Sequence, residues 1–241
     1  MELSTPYCTN KGESRPWLTM GGFSLKEWSS CNFNRDNSID LLIVSFKGVV
    51  YNIFHKQMRG GDGLKRVMVI GVSSGVGKST FSQKMGAIMQ MPVFHLDAYF
   101  WKPGWVESSV EEFTAVQEGL VGQDQWIIDG NYSSTLPVRL EKADTIVYLE
   151  MPLSTCLFRV FKRWVCHIGK TRIDMGEGCP EKIDYAFIRF ILRTYRSRKA
   201  AMRERLRALD GTKDVIQLKN KKEMNQYLLS LKAQQQVEKR G

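Results

Sequence analysis

The ten residues Gly71, Val72, Ser73, Ser74, Gly75, Val76, Gly77, Lys78, Ser79 and Thr80 constrain this chain more than any other stretch of it. An apolar run from Lys65 to Ile70 leads into them, and Phe81, Met85, Ile88 and Met89 follow at helical spacing. The pattern predicts a buried strand, a glycine-rich turn and a helix. In such a turn the backbone N–H groups can face one centre, the glycines allow close approach, and the helix N-terminus adds a favourable dipole for an anion. The anion expected is the triphosphate of ATP with Mg²⁺, held by Gly71, Ser73, Ser74, Gly75, Val76, Gly77, Lys78, Ser79 and Thr80. Lys78 is expected on the β- and γ-phosphates and the Ser79 hydroxyl on the metal. One feature departs from the strict pattern of four residues between the two glycines. Here Gly71 stands one residue too early, and Val72 occupies the first-glycine position. The phosphate contacts are expected to persist, with the start of the loop altered.

Beyond the loop, strand and helix patterns alternate. Strands are predicted at Pro92 to Leu96, Gln125 to Ile128, Thr145 to Leu149 and Val215 to Leu218. Helices are predicted over Val106 to Leu120, from Leu153 through Val165, over Glu181 to Leu209, and through Met224, Tyr227, Leu228 and Leu231. The glycine-rich, charged stretch Gly169 to Pro180 reads as a loop. Repeated βα units of this kind imply an α/β fold with a five-stranded parallel sheet, helices on both faces, and ligands at the C-terminal ends of the strands.

Composition adds bounds. A chain of 241 residues with 43% hydrophobic and 25% charged residues can bury one substantial core. Its formal charge of +10 lies mostly towards the C-terminus and suits a phosphate-rich ligand, a nucleic acid or an anionic surface. Cys8, Cys31, Cys156, Cys166 and Cys179 form no C-x-x-C pair and no zinc spacing with His55, His95 or His167, which predicts free thiols in the cytoplasm. The longest apolar stretch, Ile39 to Phe54, is broken by Ser45, Lys47 and Gly48, so no membrane partner is expected.

Residues 1–63 lack the regular patterning of the rest and are expected to be a disordered extension or a start-site artefact. Arg59, Gly60, Gly61 and Asp62 can be encoded by AGA-GGA-GGT-GAT, a ribosome-binding sequence, and Leu64 by the alternative start codon TTG. A P-loop domain over 64–241 follows from that reading.

Several residues outside the loop fit its chemistry. Asp129, at the end of an apolar strand, is placed to reach Mg²⁺. Asp97, at the end of the second strand, is the general base if the acceptor is a hydroxyl; for a phosphate acceptor, which needs no base, it becomes a specificity residue beside the metal. His95 reads as structural. Gly130, Asn131 and Tyr132 let the chain pass close to a ligand, and Arg139 is expected to face the acceptor. Tyr99, Trp101 and Trp105 suit either stacking on a base or loop packing. Arg159, Arg163 and Arg172 bracket the loop after Gly169, and they are expected to close over ATP from a lid at about residues 166–182 and to stabilise phosphoryl transfer.

Four motifs recur in order: Gly71 to Thr80, His95 to Trp105, Trp126 to Tyr132, and Gly178 to Lys182. Together they resemble the bacterial P-loop proteins named DNA topology modulation proteins, which are similar to adenylate kinases. The resemblance runs from Leu64 to about Leu231. It implies a P-loop NTPase of the nucleoside or nucleotide kinase type, with the P-loop strand central in the sheet and a helical lid. Asp97, Ala98, Tyr99 and Phe100 also resemble the acceptor motif of uridine kinases. The expected activity is transfer of the γ-phosphoryl group of ATP to a nucleoside, nucleotide or similar small acceptor. The alternative is an ATP-dependent regulator of DNA topology that binds DNA through the basic C-terminal half. Acidic Glu181, Asp184 and Glu204 interrupt that half, which favours a lid over a DNA groove.

Overall fold

A computed structural model describes residues 64–239 except 183 and 210. The expectations for residues 1–63 lie outside the described residues. Five parallel strands form the central sheet in the order β2-β5-β1-β6-β7, where β1 is Arg66–Gly71, β2 Val93–His95, β5 Trp126–Asp129, β6 Thr145–Leu149 and β7 Asp214–Leu218. The strand that leads into the glycine loop is therefore central, with Val67 opposite Ile127 on one side and Thr145 on the other. Successive side chains of a strand point to opposite faces. Val67, Met68, Val69 and Ile70 are all buried, so helices cover both faces of the sheet.

The covering helices are α1 (Lys78–Met89), α2 (Leu96–Phe100), α3 (Val110–Val121), α4 (Leu136–Lys142), α5 (Leu153–His167), α6 (Tyr185–Ala208) and α7 (Lys221–Glu238). Helix α7 lies on α1, where Tyr227 stacks on Phe81 with ring centroids 6.2 Å apart. Helix α6 is tied to the end of β6 by Glu150, which binds Lys199 at 2.8 Å and Arg203 at 2.8 Å, while the Tyr195 hydroxyl donates to the Met151 carbonyl at 2.6 Å.

Two helices start later than the periodicity predicts, for local reasons. Ser109 caps α3, its hydroxyl accepting from the Glu112 N–H while the Glu112 carboxylate accepts from the Ser109 N–H, a reciprocal pair that fixes the start at Val110. The stretch from Val106 instead closes a small antiparallel pair, β3 (Trp101–Lys102) with β4 (Val106–Glu107), around Pro103 and Gly104. Asp184 caps α6 by accepting from the Ala186 N–H at 2.8 Å, so the residues from Glu181 belong to the preceding connection. Helix α4, opened by Leu136 and Pro137, was not expected from the sequence, because it is two turns long and carries too few periodic positions to register.

Candidate active site

Strand β1 ends at Gly71, and residues 72–77 carry the chain into the N-terminus of α1. Gly71 is fixed by Asn131, whose side-chain oxygen accepts from the Gly71 N–H at 2.9 Å and whose amide donates to the Gly71 carbonyl at 2.8 Å. A Cβ on Gly71 would stand 2.5 Å from Val76 Cγ1, so this position needs glycine although it lies outside the strict motif. Val72, in the strict first-glycine position, does not. Its φ is not in the left-handed region, its side chain is in the core, and its N–H donates to the Leu149 carbonyl at 2.9 Å. Gly75 and Gly77 have φ of 79° and 105°, and a Cβ on Gly75 would collide with the Cys156 carbonyl at the first turn of α5. The turn thus lies directly against α5, and Arg159 of that helix donates to the Val76 carbonyl at 2.8 Å.

A cavity of about 400 Å³ opens over this turn. Ser74, Gly75, Val76, Gly77, Lys78, Ser79 and Thr80 line it, together with Asp97, Arg159, Arg163 and Arg172. Of the residues expected on the triphosphate or the metal, Gly71, Ser73 and Asp129 do not line it, and all three are buried. The parallel five-stranded sheet with its central loop-bearing strand decides the architecture. The chain has an α/β fold in which the glycine-rich turn leaves the central strand of a parallel sheet.

Asp97 holds one of its oxygens, Oδ1, on the Tyr132 hydroxyl at 2.6 Å. Tyr132 is itself packed against Phe100 and Phe113, and burial together with the Asp97 charge pushes its phenol far up, so it remains a donor. Arg139, expected to face the acceptor, is fully buried instead. It donates to the carbonyls of Gly130 at 2.9 Å and Tyr132 at 3.1 Å, and burial lowers it to about 10. Its role is to hold the turn after β5 in shape, and the sequence could not show this because α4, which carries it, was not visible there.

Asp129 is almost completely buried, and its Oδ2 lies 2.5 Å from His95 Nδ1, whose other nitrogen lies 3.3 Å from the Gln83 amide. Burial works against the charged His95 ring, but the bond to Asp129 and its charge outweigh burial and raise it. His95, read as structural, thus fixes the orientation of Asp129.

The connection from α5 to α6 places its charges over the cavity. Glu181, buried, accepts from Arg163 Nε at 2.8 Å and from Arg172 Nε at 2.7 Å, while Arg172 Nη1 also reaches both oxygens of Asp174 at 2.9 Å. Burial lowers Arg163, and the neighbouring Arg172 adds to this, against the attraction of Glu181. The Asp174 carboxyl sits below the usual range, because Arg172 and the neighbouring Ser79 hydroxyl outweigh burial. The same connection is docked on the β3–β4 pair: Gly104 N–H donates to the Gly178 carbonyl at 3.0 Å, Trp105 Nε1 to the Pro180 carbonyl at 3.1 Å, and a Cβ on Gly176 would collide with the Trp101 carbonyl. Trp105, offered by the sequence as a stacking or a packing residue, packs here, with Lys182 over its ring and Trp101 at its edge.

Asp174 was missed by the sequence reading, and so were Lys84, Lys221, Met224, Asn225 and Leu228, which also line the cavity. The last four reach it only because α7 packs on α1, a contact between distant segments with no local signal. The Mg²⁺ expected at Ser79 fits the donors present if the triphosphate and water supply most of its ligands, as is usual for this ion. No cluster of three His, Cys, Asp or Glu side chains with metal-holding geometry occurs among the described residues. None of the described helices is long and apolar enough to cross a membrane.

No protein-family model and no curated protein matches the chain. Solved structures with a similar course of chain include shikimate kinase from Acinetobacter baumannii in complex with shikimate, 13% identical, covering 70% of this chain and 91% of that one, with a TM-score of 0.44. A gluconokinase from Sinorhizobium meliloti 1021 is 15% identical over 72% of this chain and 92% of its own, with a TM-score of 0.43. A sugar kinase from Janibacter sp. HTCC2649, unliganded, is 15% identical over 71% and 91%, with a TM-score of 0.39.

Proposed function

We propose that this protein binds ATP with Mg²⁺ on the turn Gly71–Thr80 and transfers the γ-phosphoryl group to a small acceptor, a nucleoside, nucleotide or similar molecule. The observation that carries the reading is the convergence of six cations, Lys78, Lys84, Arg159, Arg163, Arg172 and Lys221, with two carboxylates, Asp97 and Asp174, on a single cavity at the C-terminal ends of the parallel strands. Six cations against two carboxylates, of which Asp174 is paired with Arg172 while Asp97, among the described residues, is held only by the Tyr132 hydroxyl, suit a ligand of high negative charge whose neighbour has a proton to lose.

In this reading the N–H groups of Ser74 to Thr80 and the ammonium of Lys78 bind the triphosphate. Mg²⁺, when bound, neutralises phosphate charge, and the Ser79 hydroxyl would hold it, with Asp129 or Asp174 reaching it through water. Asp97, one oxygen fixed by Tyr132, has the other free to accept the proton of an acceptor hydroxyl. Arg163 and Arg172, aligned through Nε by Glu181, are supported as lid groups by lining the cavity, with both Nη groups of Arg163 and Nη2 of Arg172 outside the pairs with Glu181 and Asp174. The family resemblance to DNA topology modulation proteins leaves a DNA-directed role as the rival. The engagement of Arg163 and Arg172 with Glu181, and of Lys199 and Arg203 with Glu150, weighs against it, because these cations already have anionic partners.

The test is ADP formation by the full chain with Mg-ATP and a panel of nucleosides, nucleoside monophosphates and polyhydroxy acids. Stimulation by an acceptor, abolished in Lys78→Ala, is the expected result. If no acceptor stimulates turnover while duplex DNA binds with a steep salt dependence, the kinase reading fails.

A further inference from the structure

Helix α5 divides its surface three ways. Cys156 and Val160 are buried in the fold, Arg159 and Arg163 line the cavity, and the third face looks into solvent. That third face is apolar at its centre. Phe158, Phe161 and Val165, continued by Ile168 at the helix end, are 65%, 53%, 49% and 58% exposed. Their spacing of three, four and three residues is that of a seam between two packed helices.

We propose that this stripe is a homodimer interface, on which α5 of a second copy of the chain packs antiparallel about a two-fold axis. Charge argues for a like partner. The exposed polar positions beside the stripe are Ser154, Lys162 and Cys166, a single charge, since the two arginines of α5 turn inward to Val76 and Glu181. A nucleic acid or an anionic bilayer would find one exposed lysine on α5 itself, with Lys170 beyond its end, whereas a copy of the same apolar stripe matches the apolar centre.

Area agrees. A fully exposed side chain of this size offers about 200 Å², so the four leave on the order of 400 Å² of apolar surface in water. Two copies face to face remove about twice that, and with homodimer contacts about 65% apolar the whole interface comes to about 1,200 Å², the lower bound for a specific, stable one. A two-fold contact is closed, so the assembly stops at two copies. The dimer follows from the α5 surface alone and stands whether or not the chain is a kinase.

Light scattering of the full chain across micromolar concentrations tests this. The expected mass is twice 27.7 kDa, falling to 27.7 kDa in Phe158→Glu/Phe161→Glu with an unchanged far-UV spectrum. Because both side chains are largely exposed, the double variant should fold as the parent does. In a chain carrying Cys8→Ser and Cys31→Ser, Cys166 is exposed while Cys156 and Cys179 are buried, and a short bismaleimide should join two copies through it. A monomer at every concentration, or a dimer that survives the double substitution and fails to cross-link at Cys166, overturns the proposal. So does binding of anionic vesicles by the monomeric parent that the double variant loses.

Discussion

Replacing Asn131 by alanine should loosen the start of the phosphate turn, and the size of the effect can be worked from its two bonds. At 2.9 and 2.8 Å, Asn131 satisfies both the N–H and the carbonyl of Gly71, a buried residue at the end of the central strand. Each neutral bond contributes about 1 kcal/mol net, and a buried partner left unsatisfied adds a further 1–3 kcal/mol unless water reaches it. The site is only partly enclosed, so the combined loss is about 2–4 kcal/mol. For a domain of this size each kcal/mol lowers Tm by roughly 2–4 °C, which places the Asn131→Ala transition roughly 5–15 °C below that of the parent. Circular dichroism melts measure this directly. Because Gly71 anchors the turn on which ATP is proposed to sit, a fluorescence titration with a labelled ATP analogue should also show weaker binding. A Tm within about 1 °C of the parent together with unchanged affinity would refute the coupling between Asn131 and the loop.

Glu181→Gln keeps the shape of the clamp and removes its charge, leaving Arg163 and Arg172 to repel each other; losing charge-assisted bonds of about 1.5–3 kcal/mol should lower kcat by roughly 10- to 100-fold. Steady-state kinetics checks this, and a fall confined to KM for ATP would count against a positioning role. Tyr227 has a buried hydroxyl with no hydrogen-bond partner among the described residues, so Tyr227→Phe should leave Tm unchanged or raise it, which a thermal melt decides. Burial also pushes the Tyr227 phenol up, so the native state keeps a proton that the unfolded chain releases near pH 10. Its stabilisation is full below about pH 10 and declines above it. In denaturant titrations above that pH, Tyr227→Phe should therefore lose stability less steeply, by about 1.4 kcal/mol per pH unit. Tyr132→Phe should reduce turnover through Asp97 with little effect on ATP binding, as a comparison of kcat with the nucleotide titration will show.

The five strands were legible because each is a run of apolar residues bounded by Gly, Pro or Asp, and β6 was placed to the residue. The turn was legible for a related reason: phosphate binding by backbone needs glycines at fixed spacing, and spacing is a property of sequence. What the sequence hid depends on contacts between distant segments. Glu181 looked like an acidic interruption in a basic helix, yet it lies before that helix and joins two arginines that are 18 and 9 residues away. Arg139 looked like a cation near a ligand, yet burial among the carbonyls of Gly130 and Tyr132 makes it part of the scaffold. His95 gave no signal of its partner, because β2 and β5 are neighbours only through the sheet, where His95 stands opposite Asp129.

The same distinction governs how the charge of +10 is understood. A sum of charges suggests a polyanion as partner, but the field at a surface depends on where each cation ends. Glu181 engages Arg163 and Arg172, and Glu150 engages Lys199 and Arg203, each from a nearly buried carboxylate. A buried carboxylate left without its cations would carry a large desolvation cost, so these pairs are not readily given up to a passing phosphate. Arg163 and Arg172 nevertheless line the cavity, each with further N–H groups beyond the Nε held by Glu181. Those groups can bind a triphosphate without breaking the clamp, whereas a DNA backbone passing along α6 would have to break the pairs with Glu150 to use Lys199 or Arg203.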